Sequence, residues 1–142
     1  MSRPVAVGVY VFAGHFTVGV SHHFDVVAHL EDGEFGTATA ALNFPHLFIE
    51  KDPTLWKATV PEDSVDLIYG NPPCSGFSPV NAQRGVDYGA NVCQARFVEF
   101  AISRQPQVLV YENVRGLITI GSSLMMELAG MMSAAGYKPH VV

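Results

Sequence analysis

Val65-Asp66-Leu67-Ile68-Tyr69-Gly70-Asn71-Pro72-Pro73-Cys74-Ser75-Gly76-Phe77-Ser78 reads as an apolar strand that runs straight into a stiff turn. Residues 65–70 are a short apolar run that ends abruptly. Two consecutive prolines then fix φ and remove two backbone donors. Asn71, ahead of them, is pushed toward an extended conformation, and Gly76 lets the chain turn sharply. The loop therefore presents one thiol, Cys74, on a rigid support, which suits a nucleophile because orientation is a large part of what an enzyme supplies. A free cysteine is ordinarily a small buried hydrophobe, but a core cysteine needs neither a Pro-Pro brace nor polar neighbours.

Outward from this strand, apolar strand-like runs alternate with helix-like segments. Strands are predicted over Val5–Phe12, Asp25–Glu31, His46–Glu50, Val65–Gly70 and Gln107–Tyr111, and Tyr137–Val142 is expected to begin a sixth. Helices are predicted over Glu34–Leu42, Asn91–Arg104 and Ser122–Ala135, the last stopped by Gly136. In the second of these, Val92, Ala95, Phe97, Val98 and Ala101 build one apolar face. Nearly continuous apolar strands separated by helices imply a doubly wound α/β fold, a mostly parallel sheet covered on both faces.

The 142 residues suffice for one domain with a real core. Hydrophobic residues make up 49% and charged residues 15%, a globular composition. No apolar run reaches the length of a membrane span, and no signal-peptide pattern opens the chain. Two cysteines are too few for a disulfide framework, so a reducing, intracellular setting is expected. The net charge is −5, with only eight Lys and Arg. A surface that grips a nucleic acid backbone alone is usually basic.

Ligands of such sheets bind at the carboxyl ends of the strands, near the topological switch point. Phe12-Ala13-Gly14, Glu31, Pro72-Pro73-Cys74 and Glu112-Asn113-Val114 all fall at those ends. Each has a plainer reading. Gly14 serves as a turn glycine, Glu31 as a carboxylate at a helix N-terminus, and Glu112 as a solvated charge. His15, His22, His23 and His29 lack zinc spacing, so no metal is expected. The methionine pairs 125–126 and 131–132 read as core filling.

In this order, the features resemble the cytosine-C5 DNA methyltransferases, and the likeness spans nearly the whole chain. Pro72-Pro73-Cys74 with Gly76-Phe77-Ser78 is similar to the family's nucleophile motif, and Glu112-Asn113-Val114 to its second catalytic motif. Phe12-Ala13-Gly14 with Gly19 resembles the first cofactor motif, Glu31 the acid that binds the cofactor ribose, and Asp52 the residue near the adenine. Asn71 and Pro72 fall among the cofactor-contacting positions. Asp66 matches an acid often carried by the strand before the nucleophile. The resemblance implies a Rossmann-like fold that binds S-adenosylmethionine. It implies that a cytosine flipped out of DNA is attacked at C6 by Cys74, with Glu112 holding the ring at N3 and Pro73 and Asn113 completing the catalytic set.

The chain departs from the family pattern in its cofactor loop, Gly14-His15-Phe16-Thr17-Val18-Gly19, which is shorter by about two residues and carries an imidazole and a ring where glycines are usual. His15 and Phe16 are expected to narrow that pocket. The family's arginine-bearing motif, target-recognition region and returning C-terminal helix have no counterpart in these residues. The expectation is a single N-terminal catalytic subdomain over 1–142, truncated before the terminal strand hairpin. It would be completed by a second polypeptide supplying target recognition and the arginine motif, or by a homo-oligomer. Two other readings stand beside it: a pyrimidine-modifying enzyme with another methyl donor or none, and a non-catalytic binding or regulatory module.

Overall fold

The computed structural model of the chain describes residues 2–34, 36–82, 85 and 89–142. In chain order the elements are β1 (Val5–Val9), α1 (His15–Val20), β2 (Asp25–Leu30), α2 (Thr37–Asn43), β3 (Phe48–Glu50), α3 (Trp56–Thr59), β4 (Leu67–Gly70), α4 (Val92–Arg104), β5 (Val108–Tyr111), α5 (Gly116–Thr119) and α6 (Ser122–Ala134), with a 3-10 turn at Gly89–Asn91 before α4.

The five strands form one sheet in the order β3-β2-β1-β4-β5, parallel at every pairing. The order reverses between β1 and β4, so the crevice outside their carboxyl ends is the switch point. It lies between the turn that follows β1 and the Pro-Pro-Cys loop that follows β4. Burial explains why these strands are so apolar. Val7, Val9, Leu30 and Ile68 are wholly buried in one cluster with Trp56, Phe97, Phe100 and Leu128 from α3, α4 and α6. Ala6, Val11, Val26, Leu67 and Tyr69 form a second cluster, against which Phe16, Val20, Phe24 and Leu47 pack. The sheet thus has a core on each face, as a doubly wound fold requires.

Four expectations need correction. The segment expected to be a cofactor turn, Gly14–Gly19, is largely the short helix α1. The chain leaves β1 at Tyr10, which adopts φ 54° in the left-handed region, so the strand is shorter than predicted. On α4 the buried side chains are Gln94, Phe97, Val98, Phe100 and Ala101, whereas Val92 is 57% exposed. Finally, residues 137–142 form no strand. The Gly136 turn (φ 93°) and the Tyr137 N–H to Met132 O bond of 3.0 Å close α6. The Tyr137 hydroxyl then donates to Pro106 O at 2.7 Å, ahead of β5, and Pro139 has no donor to offer a ladder. Of the methionine pairs, Met132 is buried in the core and Met131 packs against it, whereas Met126 is 75% exposed.

One buried group couples this fold to pH. His29 on β2 is 1% exposed, and desolvation lowers its pKa from 6.5 to about 4. The unfolded chain therefore binds a proton near pH 6.5 that the folded chain refuses until about pH 4. Stability is fully present above pH 6.5 and is lost as pH falls through that window. Urea denaturation at pH 7 and pH 5 is expected to differ by about 2 kcal/mol from this group. In His29→Gln most of that difference is expected to vanish, and an unchanged pH dependence would refute the assignment.

Candidate active site

The loop after β4 is built around two carbonyls. Pro72 and Pro73 carry no N–H, so this stretch cannot extend the ladder, yet both carbonyl oxygens find donors. Gln94 Nε2 on α4 donates to Pro73 O at 2.6 Å. Asn113 Nδ2, just after β5, donates to Pro72 O at 3.1 Å and to Gln94 Oε1 at 3.3 Å. The Tyr111 hydroxyl also donates to Gln94 Oε1. Gln94 is wholly buried, and an unpaired amide at that depth is costly. The Cys74 loop and the Glu112–Val114 loop are therefore joined by side-chain amides, on top of the β4–β5 pairing that continues to Glu112 N–H on Gly70 O at 2.9 Å.

Downstream, Cys74 O accepts from Phe77 N–H at 2.9 Å and Ser78 N–H at 3.1 Å, a tight turn around the thiol-bearing residue. Phe77 is wholly buried beneath the backbones of Gly116 and Gly121 and anchors the far side of the loop. Asn81 Nδ2 donates to Ser75 O at 2.8 Å. Cys74 itself is a half-buried free thiol, and Glu112 is exposed. Glu112 and Asn113 line a cleft of about 960 Å³ whose wall also includes Phe16, Val108, Val110 and Ile118. Cys74 and Glu31 are not among the residues of that wall. Phe16 lies on the ring of Tyr69 at 5.1 Å, so this residue of the shortened loop faces the Glu112 side of the switch point.

On the β1 side, Phe12 is 53% exposed with φ 52°, and Ala13 is buried. Gly14 has φ 90°, and a Cβ there would stand 2.5 Å from the Phe44 ring, so glycine is required twice over. Glu31 is 7% exposed, and its carboxylate accepts from Phe12 N–H and Gly33 N–H, both at 3.1 Å. Burial raises its pKa, and these two donors work against the rise. A carboxylate has about four acceptor positions, so Glu31 braces the turn and still has lone pairs for ligand hydroxyls. Arg96 on α4 adds a second brace, donating to Tyr10 Oη at 3.0 Å and to Asp32 at 2.6 Å. Asn71 Oδ1 is buried and has no hydrogen-bond partner among the described residues.

Asp52, Gly19 and Asp66 take no part in those hydrogen bonds. Asp52 is exposed, and its carboxylate is held below its usual pKa by the Thr54 hydroxyl and N–H at 2.7 and 2.9 Å. Gly19 lies within α1 with nothing within 4 Å of where a Cβ would be. Asp66 accepts from Val5 N–H at 2.7 Å and Gln107 Nε2 at 3.0 Å, which clamps the starts of β1, β4 and β5 at the edge opposite the switch point. Among the described residues no three His, Cys, Asp or Glu side chains are grouped as metal ligands would be. No helix of the described residues is long and apolar enough to cross a membrane.

Sequence reasoning missed Gln94, Tyr111 and Arg96. A legible signal existed for the first: a glutamine three residues before Phe97 interrupts the apolar face of a helix. Replacing it with leucine strands the Pro73 carbonyl and the two groups that bond to Gln94 Oε1. Gln94→Leu is expected to lower stability by about 2 kcal/mol and to speed amide exchange at Phe77 and Ser78 relative to Leu109. Equal protection in variant and wild type would show that Gln94 does not hold the loop.

This geometry has known counterparts. Residues 12–142 match the family of C-5 cytosine-specific DNA methylases. The type II methyltransferase M.XorII of Xanthomonas oryzae is 26% identical over 96% of this chain and 34% of the relative. M.BspRI of Lysinibacillus sphaericus is 35% identical over 68% of the chain and 22% of the relative. The chain thus spans about a third or less of the length of these curated relatives. A DNA modification methyltransferase encoded within an E. coli prophage superposes with a TM-score of 0.76 at 25% identity, covering 92% of this chain and 38% of the other. Spodoptera frugiperda DNMT2 shares the fold, with a TM-score of 0.65 at 15% identity over 93% and 41%. With a match that runs from Phe12 to Val142, through both the Pro-Pro-Cys loop and the Glu-Asn-Val loop, the chain belongs to the C-5 cytosine-specific DNA methylase family.

Proposed function

We propose that this chain is the catalytic part of a DNA (cytosine-5-)-methyltransferase. The observation that carries the reading is the Gln94–Asn113 bridge, which ties the Cys74 loop to the loop bearing Glu112 at the carboxyl ends of neighbouring parallel strands. A nucleophile and a carboxylate at that edge of the sheet suit a reaction in which one group attacks a ring and the other steadies it.

In this reading the target cytosine is flipped out of the duplex. The Cys74 thiolate adds to C6, forming an S–C6 bond as the C5–C6 π pair shifts toward C5. Glu112 holds N3 and stabilises the charge that develops. C5 would take the methyl group as the sulfonium departs as a neutral thioether; its proton would then pass to a water acting as base, and the S–C6 bond would break to restore the C5–C6 double bond and the Cys74 thiolate. S-adenosylmethionine supplies the methyl as an electrophilic sulfonium. Phe12, Ala13 and Gly14 at the β1 turn, Glu31, and Asn71 with Pro72 are the residues proposed to hold it, with Asp52 and Gly19 at the margin. The free lone pairs of Glu31 fit ribose hydroxyls, and the buried, unpartnered Asn71 Oδ1 fits a donor on the ligand.

A further polypeptide, or a second copy of this chain, is proposed to supply target recognition and the arginine motif. The net charge of −5 is a poor match for DNA phosphates. Val108 and Val110 on β5 are 51% and 38% exposed, an apolar edge that proteins normally cover. Alone, the chain is expected to bind DNA weakly and turn over slowly.

Duplex DNA carrying 5-fluorocytosine tests the chemistry in a single turnover, so slow reactions still register. With S-adenosylmethionine present, the wild-type chain is expected to form a denaturation-resistant adduct. Cys74→Ser is expected to form none, and Glu112→Gln to form it about 10²-fold more slowly. No wild-type adduct after long incubation at saturating DNA and cofactor would overturn the catalytic reading in favour of a binding module.

A further inference from the structure

Gly8, in the middle of β1, is in register with His29 on β2 and with Tyr69 on β4. The Tyr69 ring and Val11 take the space left by its missing side chain: a Cβ on Gly8 would stand 2.9 Å from Tyr69 Oη and 3.0 Å from Val11 Cγ1. Thr17 of α1 bridges Tyr69 and His29. Its hydroxyl lies 2.7 Å from Tyr69 Oη and 2.8 Å from His29 Nε2, and all three residues are at most 1% exposed. Burial lifts the Tyr69 pKa to about 12, so the phenol stays protonated, and either hydroxyl of the Tyr69–Thr17 pair can be the donor. His29 Nδ1 has no partner among the described residues, so the set keeps its geometry at the expense of one unmet polar atom.

The contacts of α1 make this set more than core polarity. The helix has six residues, and Thr17 is its one buried side chain. A helix that short does not hold itself together in water, so its place on the sheet depends on what anchors it. The same set also touches Phe16 of the helix and, through Phe44, the preceding turn. Phe16 packs edge-on against Tyr69 at 5.1 Å. Gly14 abuts Phe44, whose ring meets His29 at 5.7 Å. Tyr69 and His29 thus connect the Thr17 bridge to the helix and, through Phe44, to Gly14.

We infer that Tyr69, Thr17 and His29 are positioning residues for the Phe12–Gly14 turn, holding it in the shape that admits the methyl donor. The inference rests on the reading that this turn takes S-adenosylmethionine.

Calorimetric titration of the full chain with S-adenosylmethionine tests this. Thr17→Val keeps the side-chain shape and removes the hydroxyl. It breaks both bonds of the bridge and is expected to weaken S-adenosylmethionine binding about tenfold, and Thr17→Ser is expected to restore it. Leu128→Ala, on the opposite face of the sheet, is expected to lower the melting temperature and leave the Kd unchanged. If Thr17→Val does not fold, Tyr69→Phe is read in the same way, since it removes one hydroxyl and keeps the ring against Phe16. A variant Kd within twofold of wild type, or an equal loss of affinity in Leu128→Ala, overturns the inference alone. A wild-type chain that binds no S-adenosylmethionine overturns the cofactor reading, and this inference with it.

Discussion

Two prolyl carbonyls that no strand can satisfy set the terms for the site. Pro72 and Pro73 end β4 with acceptors but no donors, and the loop must still cross the top of a buried sheet. The donors come from Gln94 and Asn113, and those amides in turn bring α4 and the segment after β5 against the loop. Had the loop carried ordinary residues, its own N–H groups would have offered partners and freedom to rearrange. The prolines remove both, so the position of Cys74 depends on side chains far from it in sequence.

Helix α4 is the common support. Gln94 reaches toward the nucleophile loop, and Arg96 reaches toward Tyr10 and Asp32 at the ends of β1 and β2. The two contacts differ in strength. Gln94 is wholly buried, so its bonds have no competing water. Arg96 is partly exposed, where an ion pair contributes little to stability. The nucleophile side of the switch point is consequently the more firmly held. On the cofactor side, Glu31 and the Thr17 bridge carry the positioning instead, with buried polar groups from β2, α1 and β4.

Much of this was legible because it follows from local chemistry. The apolar strands, the Pro-Pro-Cys turn, the parallel sheet and the acid at the end of β2 can all be read from residue type and period. The errors share one cause. Gly14–Gly19 reads as a loop because two glycines and two β-branched residues are poor helix formers, yet Thr17 finds partners on β2 and β4 that make a short helix worthwhile. Tyr137–Val142 reads as a strand, but a tyrosine hydroxyl on Pro106 and a proline at 139 take it elsewhere. Asp66, which matches an acid often carried by the strand before the nucleophile, clamps the starts of β1, β4 and β5.

What the sequence determined by itself is the inventory: the alternation of elements, the braced thiol, and the order of motifs that places the chain among the cytosine-5 methylases. Only the tertiary structure decided which polar residues hold them in place. Tyr111, Thr17 and His29 carry no local signature of a role, and Gln94 shows only a break in an apolar face, because a buried amide, phenol, hydroxyl or imidazole acquires meaning from its partner. Those partners lie between 12 and 52 residues away along the chain, beyond the reach of propensity or periodicity, and burial makes each pairing obligatory.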